Sequence, residues 1–288
     1  MFAQITSIKI TSPSEEIEQY DSTLNFLGKD VYKYIGQELY LNEKNESLRE
    51  YGYEGFVKNY NKELRNKKNI YKCCDGYNSK YDELAAKYFS VINVHKDPKS
   101  SFLSAKFFLE LKEKDSGNIV YYTYSSRFKH SFPFLVVGYF TKQKEFYIGK
   151  EFIIKGRNWL DDTKHMYDVN TGEIVSFETG SRWRCVDFTI ESKYYSLTLI
   201  LENEKGERIR CSPKSANSIK NMFYAQDVDK YIQKFGEKNW DIIFKGEVLI
   251  GFTEEMVIAS WGKPKKINKS SSGDQWVYND RYLYFENG

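Results

Sequence analysis

The chain of 288 residues is long enough for two or three ordinary domains, and its 41% hydrophobic and 17% aromatic content excludes a disordered chain. Lys and Arg number 43 against 40 Asp and Glu, and the net charge of +3 is too small an excess for a dedicated phosphate-backbone binder, so no nucleic-acid partner is expected. No run approaches the roughly 18 apolar residues that cross a bilayer, so no transmembrane segment is expected either.

Residues 1–25 read as an N-terminal segment. Phe2-Ala3-Gln4 is similar to the last residues of a trimmed export signal, with an ordinary cytosolic start as the alternative. Residues 26–126 read as a β-module opened by Lys33-Tyr34-Ile35-Gly36-Gln37-Glu38 and three apolar residues. A long polar insertion follows from Tyr51 to Lys87; its basic stretch Lys62 to Lys72 reads as a solvated face. Adjacent cysteines rarely bond to one another, so Cys73 and Cys74 are expected to stay unlinked. Tyr88 to Val94, then Phe107, Leu109 and Leu111, alternate as strands do. The turn Lys114-Asp115-Ser116-Gly117-Asn118 leads to a return strand, Ile119 to Tyr124.

Residues 139–213 repeat this order. Phe146-Tyr147-Ile148-Gly149-Lys150-Glu151 and three apolar residues match the opening block. Arg184 to Ile190 then matches Tyr88 to Val94, placing Ile190 at the position of Val94. Leu197, Leu199 and Leu201 match the next strand, and Glu204-Lys205-Gly206 the turn before the return strand Arg208 to Cys211. Two tandem small β-barrels or β-rolls are expected, with an SH3-like barrel the nearest familiar shape. Cys185 and Cys211 fall in strands of one module, as buried thiols or as a bridge in an exported protein.

Residues 214–288 form a small α+β module. Ile219, Met222 and Phe223 read as a helix face that Val228, Tyr231, Ile232 and Phe235 continue to a stop at Gly236. A strand is expected from Ile242 to Ile250. A helix from Glu254 to Trp261 is capped by Thr253 and ended by Gly262 with Pro264, and strands Trp276 to Tyr278 and Tyr282 to Glu286 follow.

No histidine among His95, His130 and His165 has a partner at metal-ligand spacing, and no phosphate-cradling or nucleophile-elbow motif is present. Neither a metal, a cofactor nor an enzymatic activity is expected. Asp161-Asp162 reads as a solvated pair. The one lead is tryptophan beside charge: Trp159, and Trp183 between Arg182 and Arg184, the composition of binding hot spots and sugar-stacking sites, with core packing as the alternative.

Ile250-Gly251-Phe252-Thr253-Glu254-Glu255-Met256-Val257, Trp261-Gly262-Lys263-Pro264, Gln275-Trp276-Val277-Tyr278 and Tyr282-Leu283-Tyr284-Phe285 together resemble the SmpA/OmlA family of outer-membrane lipoproteins, which shares its fold with β-lactamase inhibitory proteins. Phe252 stands where that family usually has Met. The resemblance covers the C-terminal module only and implies a periplasmic or cell-envelope setting and contact with another protein. Combined with the Lys-, Asn- and Tyr-rich β-region, the chain resembles proteins of gut-type Bacteroidetes. The reading is thus a non-catalytic binding or scaffold protein with a protein partner; carbohydrate binding or processing through exposed tryptophans is the alternative.

Overall fold

The twice-occurring Tyr-Ile-Gly performs the same task each time in the computed structural model, which describes residues 19–97, 106–155, 166–176, 178–191, 196–217, 221–271, 273–279 and 281–286. Gly36 and Gly149 sit at φ of +80° and +79°, and an added Cβ would meet nothing within 4 Å at either; the backbone angle alone calls for glycine. Each N–H donates across to the carbonyl of a later strand, Gly36 to Val91 at 2.9 Å and Gly149 to Cys185 at 2.8 Å. The preceding tyrosine is buried both times: Tyr34 stacks on Phe132 at 5.3 Å, Tyr147 on Phe188 at 5.6 Å.

The chain is β-rich and divides into two units between Lys142 and Gln143. The first contains β1 (Glu38–Leu41), α1 (Glu46–Arg49), β2 (Phe56–Val57), β3 (Cys73–Asp75), β4 (Asn78–Ser79), α2 (Tyr81–Leu84), β5 (Tyr88–Lys96), β6 (Lys106–Glu113), β7 (Ile119–Ser125) and β8 (Phe134–Val136). Helix α3 (Val137–Tyr147) carries the boundary. All pairings in the main sheet are antiparallel, in the order β2-β7-β6-β5-β1-β8. Its core is aromatic, with Tyr34, Phe56, Phe89, Tyr122, Tyr124 and Phe134 all buried.

The insertion expected as a polar excursion is partly core. Tyr53, Phe56, Val57, Ile70, Tyr71, Tyr81 and Leu84 are buried, while residues 62–68 of the basic stretch are exposed. The aromatic positions are too widely spaced to show a period, so only the tertiary fold reveals their common side. Cys73 and Cys74 lie side by side on β3, both half-buried. The first module also reaches beyond its 26–126 span. Asn25 donates from Nδ2 to the Phe134 carbonyl at 2.8 Å and accepts from the Val136 N–H at 2.7 Å, tying the segment before β1 to β8. Asn25→Ala leaves both of these groups without that partner and is expected to lower stability by about 1–3 kcal/mol in urea unfolding.

The second unit contains β9 (Glu151–Ile154), β10 (Met166–Tyr167), β11 (Ile174–Val175), β12 (Arg182–Glu191), β13 (Ser196–Asn203), β14 (Arg208–Cys211), α4 (Pro213–Ala216) and β15 (Met222–Tyr224). Its main sheet has the order β14-β13-β12-β9-β15. That order is the order β7-β6-β5-β1-β8, strand for strand. The long second strand is bulged at the same place in both, between Val91 and Asn93 and between Cys185 and Asp187. After each bulge an Oδ1 accepts the next N–H at 2.8 Å, Asn93 from Val94 and Asp187 from Phe188. Val94 therefore corresponds to Phe188 and not to Ile190. A slip of two residues keeps every side chain on its own face, so alternation alone could not detect it. Gly117 and Gly206 take φ of +71° and +79°, as the hairpin turns require. Among the described residues, neither sheet closes into a barrel.

Two C-terminal expectations are corrected. Met222 and Phe223 are not helical; they form β15 and pair with Ile154 and Ile153 of β9, a long-range partnership that a three-residue window cannot reveal. Ile219 lies outside the described residues. The sheet thereby extends past the boundary drawn at 213. The strand expected from Ile242 to Ile250 is not formed: α5 (Val228–Phe235) is followed by α6 (Glu237–Phe244), whose Trp240, Ile243 and Phe244 recur at helical spacing and pack with Ile153, Phe223 and Phe235, and a turn follows it. Helix α7 (Glu254–Trp261) starts and stops as expected, the Met256 N–H donating to Thr253 Oγ1 at 3.3 Å and Gly262 at φ of +81°. It is followed by β16 (Lys266–Ser270), β17 (Gly273–Val277) and β18 (Tyr282–Phe285), an antiparallel sheet of which β16 was not anticipated.

Candidate interaction surface

The tryptophan lead does not survive at Trp183. The indole is 1% exposed, donates from Nε1 to Ser181 Oγ at 3.0 Å, and lies among the alternating buried positions of β12 with Cys185 and Phe188. Alternation along Arg182-Trp183-Arg184 sends the arginines to the opposite face. There both are exposed, and Glu151 lies 3.7 Å from Arg182 and 3.6 Å from Arg184. With Glu202 and Arg208 paired at 2.6 Å, the outer row runs Arg208, Glu202, Arg184, Glu151 across four strands, a ladder of alternating sign rather than a cationic patch. Trp159, with Asp161 and Asp162, lies outside the described residues.

The remaining tryptophans are no better platforms. Trp240 and Trp276 are buried, and Trp261 donates from Nε1 to the Gly246 carbonyl at 2.9 Å while Tyr278 meets it edge-on. Cys185 and Cys211 are free buried thiols, not a bridge, and burial pushes them up to about 11 and about 12. Such thiols stay protonated at neutral pH and are poor nucleophiles. Among the described residues, no group of three or more His, Cys, Asp or Glu could hold a metal ion.

A different surface has the features of a contact site. In the C-terminal sheet, order β16-β17-β18, strand β18 is an edge. Tyr278 N–H donates to the Arg281 carbonyl at 2.9 Å, which sets the hydrogen-bonding phase of the hairpin. With Trp276 opposite Leu283 and Val277 opposite Tyr282, alternation directs the backbone N–H and C=O groups of Tyr282 and Tyr284 away from β17, to the free edge. Phe285 turns inward onto Trp276, with ring centroids 4.7 Å apart. Tyr282 and Tyr284 are exposed on the other face, where Gln275 Nε2 donates to the Tyr284 hydroxyl at 2.7 Å and Asn268 Nδ2 to Gln275 Oε1 at 2.9 Å.

Beside this edge the turn after α6 carries Leu249 and Ile250 in the open, Ile250 with its whole side chain in solvent. Together with Phe252, Val257, Tyr282 and Leu283 they line a groove of about 340 Å³. Large aliphatic residues in a turn flanked by Gly246 and Gly251, and a Tyr-x-Tyr strand after them, were the sequence signals for this surface.

No family model matches the chain, and no curated protein or solved structure matches it either.

Proposed function

We propose that the chain is a non-catalytic binding protein of the cell envelope whose C-terminal module holds an extended segment of a partner protein against the free edge of β18. The observation that carries this reading is the coincidence of outward-facing backbone groups at Tyr282 and Tyr284, with no strand partner among the described residues, and the apolar groove beside them. A strand added to a sheet edge gains main-chain hydrogen bonds while alternate side chains enter pockets, and this groove offers both. The exposed Leu249, Ile250, Tyr282 and Tyr284 supply the apolar and aromatic area that protein contacts use. The resemblance to outer-membrane lipoproteins points the same way, and the order α6, α7, β16, β17, β18 is compatible with it.

In this reading the upstream region is a scaffold of two tandem copies of one five-stranded unit with SH3-like connectivity. The common strand order, the shared bulge and the repeated Tyr-Ile-Gly support that duplication. Carbohydrate binding loses Trp183 as a stacking platform, since that indole is in the core.

The test is a photo-crosslinking residue at position 250, introduced in the cell that makes the protein, with the captured peptide identified by mass spectrometry. A single partner segment is expected. Tyr284→Pro removes one outward-facing N–H without touching the bonds to β17, whereas Tyr284→Ala keeps that N–H. The proline variant is expected to weaken capture about tenfold or more relative to the alanine variant, the effect of losing about 1–3 kcal/mol at one edge bond. Equal capture by both variants would sink strand addition, and capture of a second copy of this chain would replace the foreign partner with self-association.

A further inference from the structure

We infer that a groove of the second unit, walled by Phe223, Tyr224 and Tyr231 and carrying the carboxylate of Asp227, binds a small alkylated ammonium of the trimethylammonium kind. The groove lies between the end of α4 and β15 on one side and α5 and α7 on the other. Its volume of about 390 Å³ falls within the range of small-molecule sites. It shares no residue with the groove beside β18, so the inference stands apart from the partner-protein reading.

The rings are arranged as a corner. Phe223 and Tyr231 meet edge to face, with centroids 5.7 Å apart and planes at 83°. The buried Trp240 braces both, stacking on Tyr231 at 5.0 Å and meeting Phe223 edge-on at 5.1 Å. Aromatic faces carry negative potential and attract a cation held within about 6 Å. Tyr224 already receives one: Lys150, which does not line the groove, holds its ammonium 5.0 Å from that ring. Asn217 is engaged at both ends, its Nδ2 donating to the Tyr147 hydroxyl at 2.7 Å and its Oδ1 accepting from the Tyr224 hydroxyl at 2.8 Å. That bond holds Tyr224 in the wall.

The charge of the groove has the matching sign. Half-buried Asp227 stands at the N-cap of α5, yet its side chain makes no cap hydrogen bond, and among the described residues it joins no ion pair. Capping α5 is therefore an incomplete account of it. Burial raises the pKa of both phenols, Tyr224's to about 12, and the Asp227 charge contributes to each rise, which puts the carboxylate within electrostatic reach of both rings. Lys234 in the wall is paired with Glu255, so Asp227 leaves the groove net negative. A bare metal ion needs several oxygen ligands and a primary ammonium needs acceptors for three donors. One carboxylate among rings suits a cation whose alkyl groups meet the aromatic faces.

The test titrates choline into the full chain by ligand-detected NMR, beside dimethylbutanol, its uncharged isostere with carbon in place of nitrogen, and ethanolamine, its primary-amine counterpart. Choline is expected to bind about tenfold or more tightly than either. Asp227→Asn keeps the shape and removes the charge; it is expected to weaken choline about tenfold while leaving the urea midpoint unchanged. Tyr231→Leu is expected to cost about as much, whereas Tyr231→Phe keeps the ring and should stay within about threefold. Equal binding of choline and dimethylbutanol would overturn the inference by leaving an apolar groove only. So would silence at millimolar choline, or a folded Asp227→Asn that binds choline as well as the natural protein does. Phosphatidylcholine vesicles separate the two sources of this group. Vesicle binding released by free choline would place it on a lipid head group, and choline binding without vesicle binding would place it on a free molecule; either result upholds the ammonium site.

Discussion

Trp183→Ala is expected to destabilise the second unit by about 3–5 kcal/mol, read as a lowered midpoint in urea unfolding, the loss typical of removing a fully buried large aromatic from a close-packed core. The indole sits on the inner face of β12, where Cys185 opposes Leu201 and Ile209 across the next two strands. Ser181 Oγ would lose the indole N–H as its donor. The flanking Arg182→Ala and Arg184→Ala are expected to stay within about 0.5 kcal/mol, because exposed ion pairs contribute little. This contrast separates core from binding surface within three consecutive residues. Were Trp183→Ala to fold with unchanged stability and lose affinity for a glycan, the burial of the indole would have been misread.

Glu113→Ala is expected to destabilise the first unit by about 3 kcal/mol, since it strips the partner from buried or partly buried donors. Glu113 lies at the end of β6 with its carboxylate out of solvent. Oε2 accepts from the Tyr71 hydroxyl at 2.5 Å and from Ser116 Oγ at 2.8 Å, and Lys72 Nζ meets Oε1 at 2.7 Å. Asn118 Nδ2 donates in turn to the Tyr71 hydroxyl at 3.1 Å. One carboxylate therefore ties the insertion to the β6-β7 hairpin. Burial alone would push its pKa up from 4.5, but the hydrogen bonds from Lys72, Tyr71 and Ser116 and the Lys72 charge outweigh burial and hold it lower. A carboxyl depressed in the folded state contributes stability above its unfolded pKa and loses it as the pH falls through the folded one. The advantage of the natural protein over Glu113→Gln should be constant above about pH 5.5 and shrink on acidification below about pH 4.5. An advantage that grows on acidification would reverse the sign assigned to this group.

Much of the architecture was readable because it is written twice. Tyr-Ile-Gly, the period-two leucines from Leu109 and Leu199 onward, and the glycine turns each carry a local requirement, and local requirements leave local marks. The closing strands β8 and β15 left none: three residues are too few to show a period, and their conformation comes from pairing with β1 and β9. Helix α6 was taken for a strand because a run such as Asp241-Ile242-Ile243-Phe244 suits a buried strand as well as a helix. The contact surface was harder still. Exposure is a property of the finished fold, and nothing in the residue type distinguishes the buried Trp183 from the exposed Ile250.

The closing strands also bear on how the chain is made. In each sheet the first strand to leave the ribosome has a partner that follows only after the whole meander, β1 waiting for β8 and β9 for β15. Until that partner emerges, the first strand has one edge unpaired, a template for the wrong neighbour. The two sheets share one connectivity, so the most similar wrong neighbour for a waiting β9 is the β8 already synthesised. The different side chains of Phe134–Val136 and Met222–Tyr224 are what distinguish the closing strands. Exchanging these two tripeptides would test whether fidelity during translation, more than final stability, set their sequences.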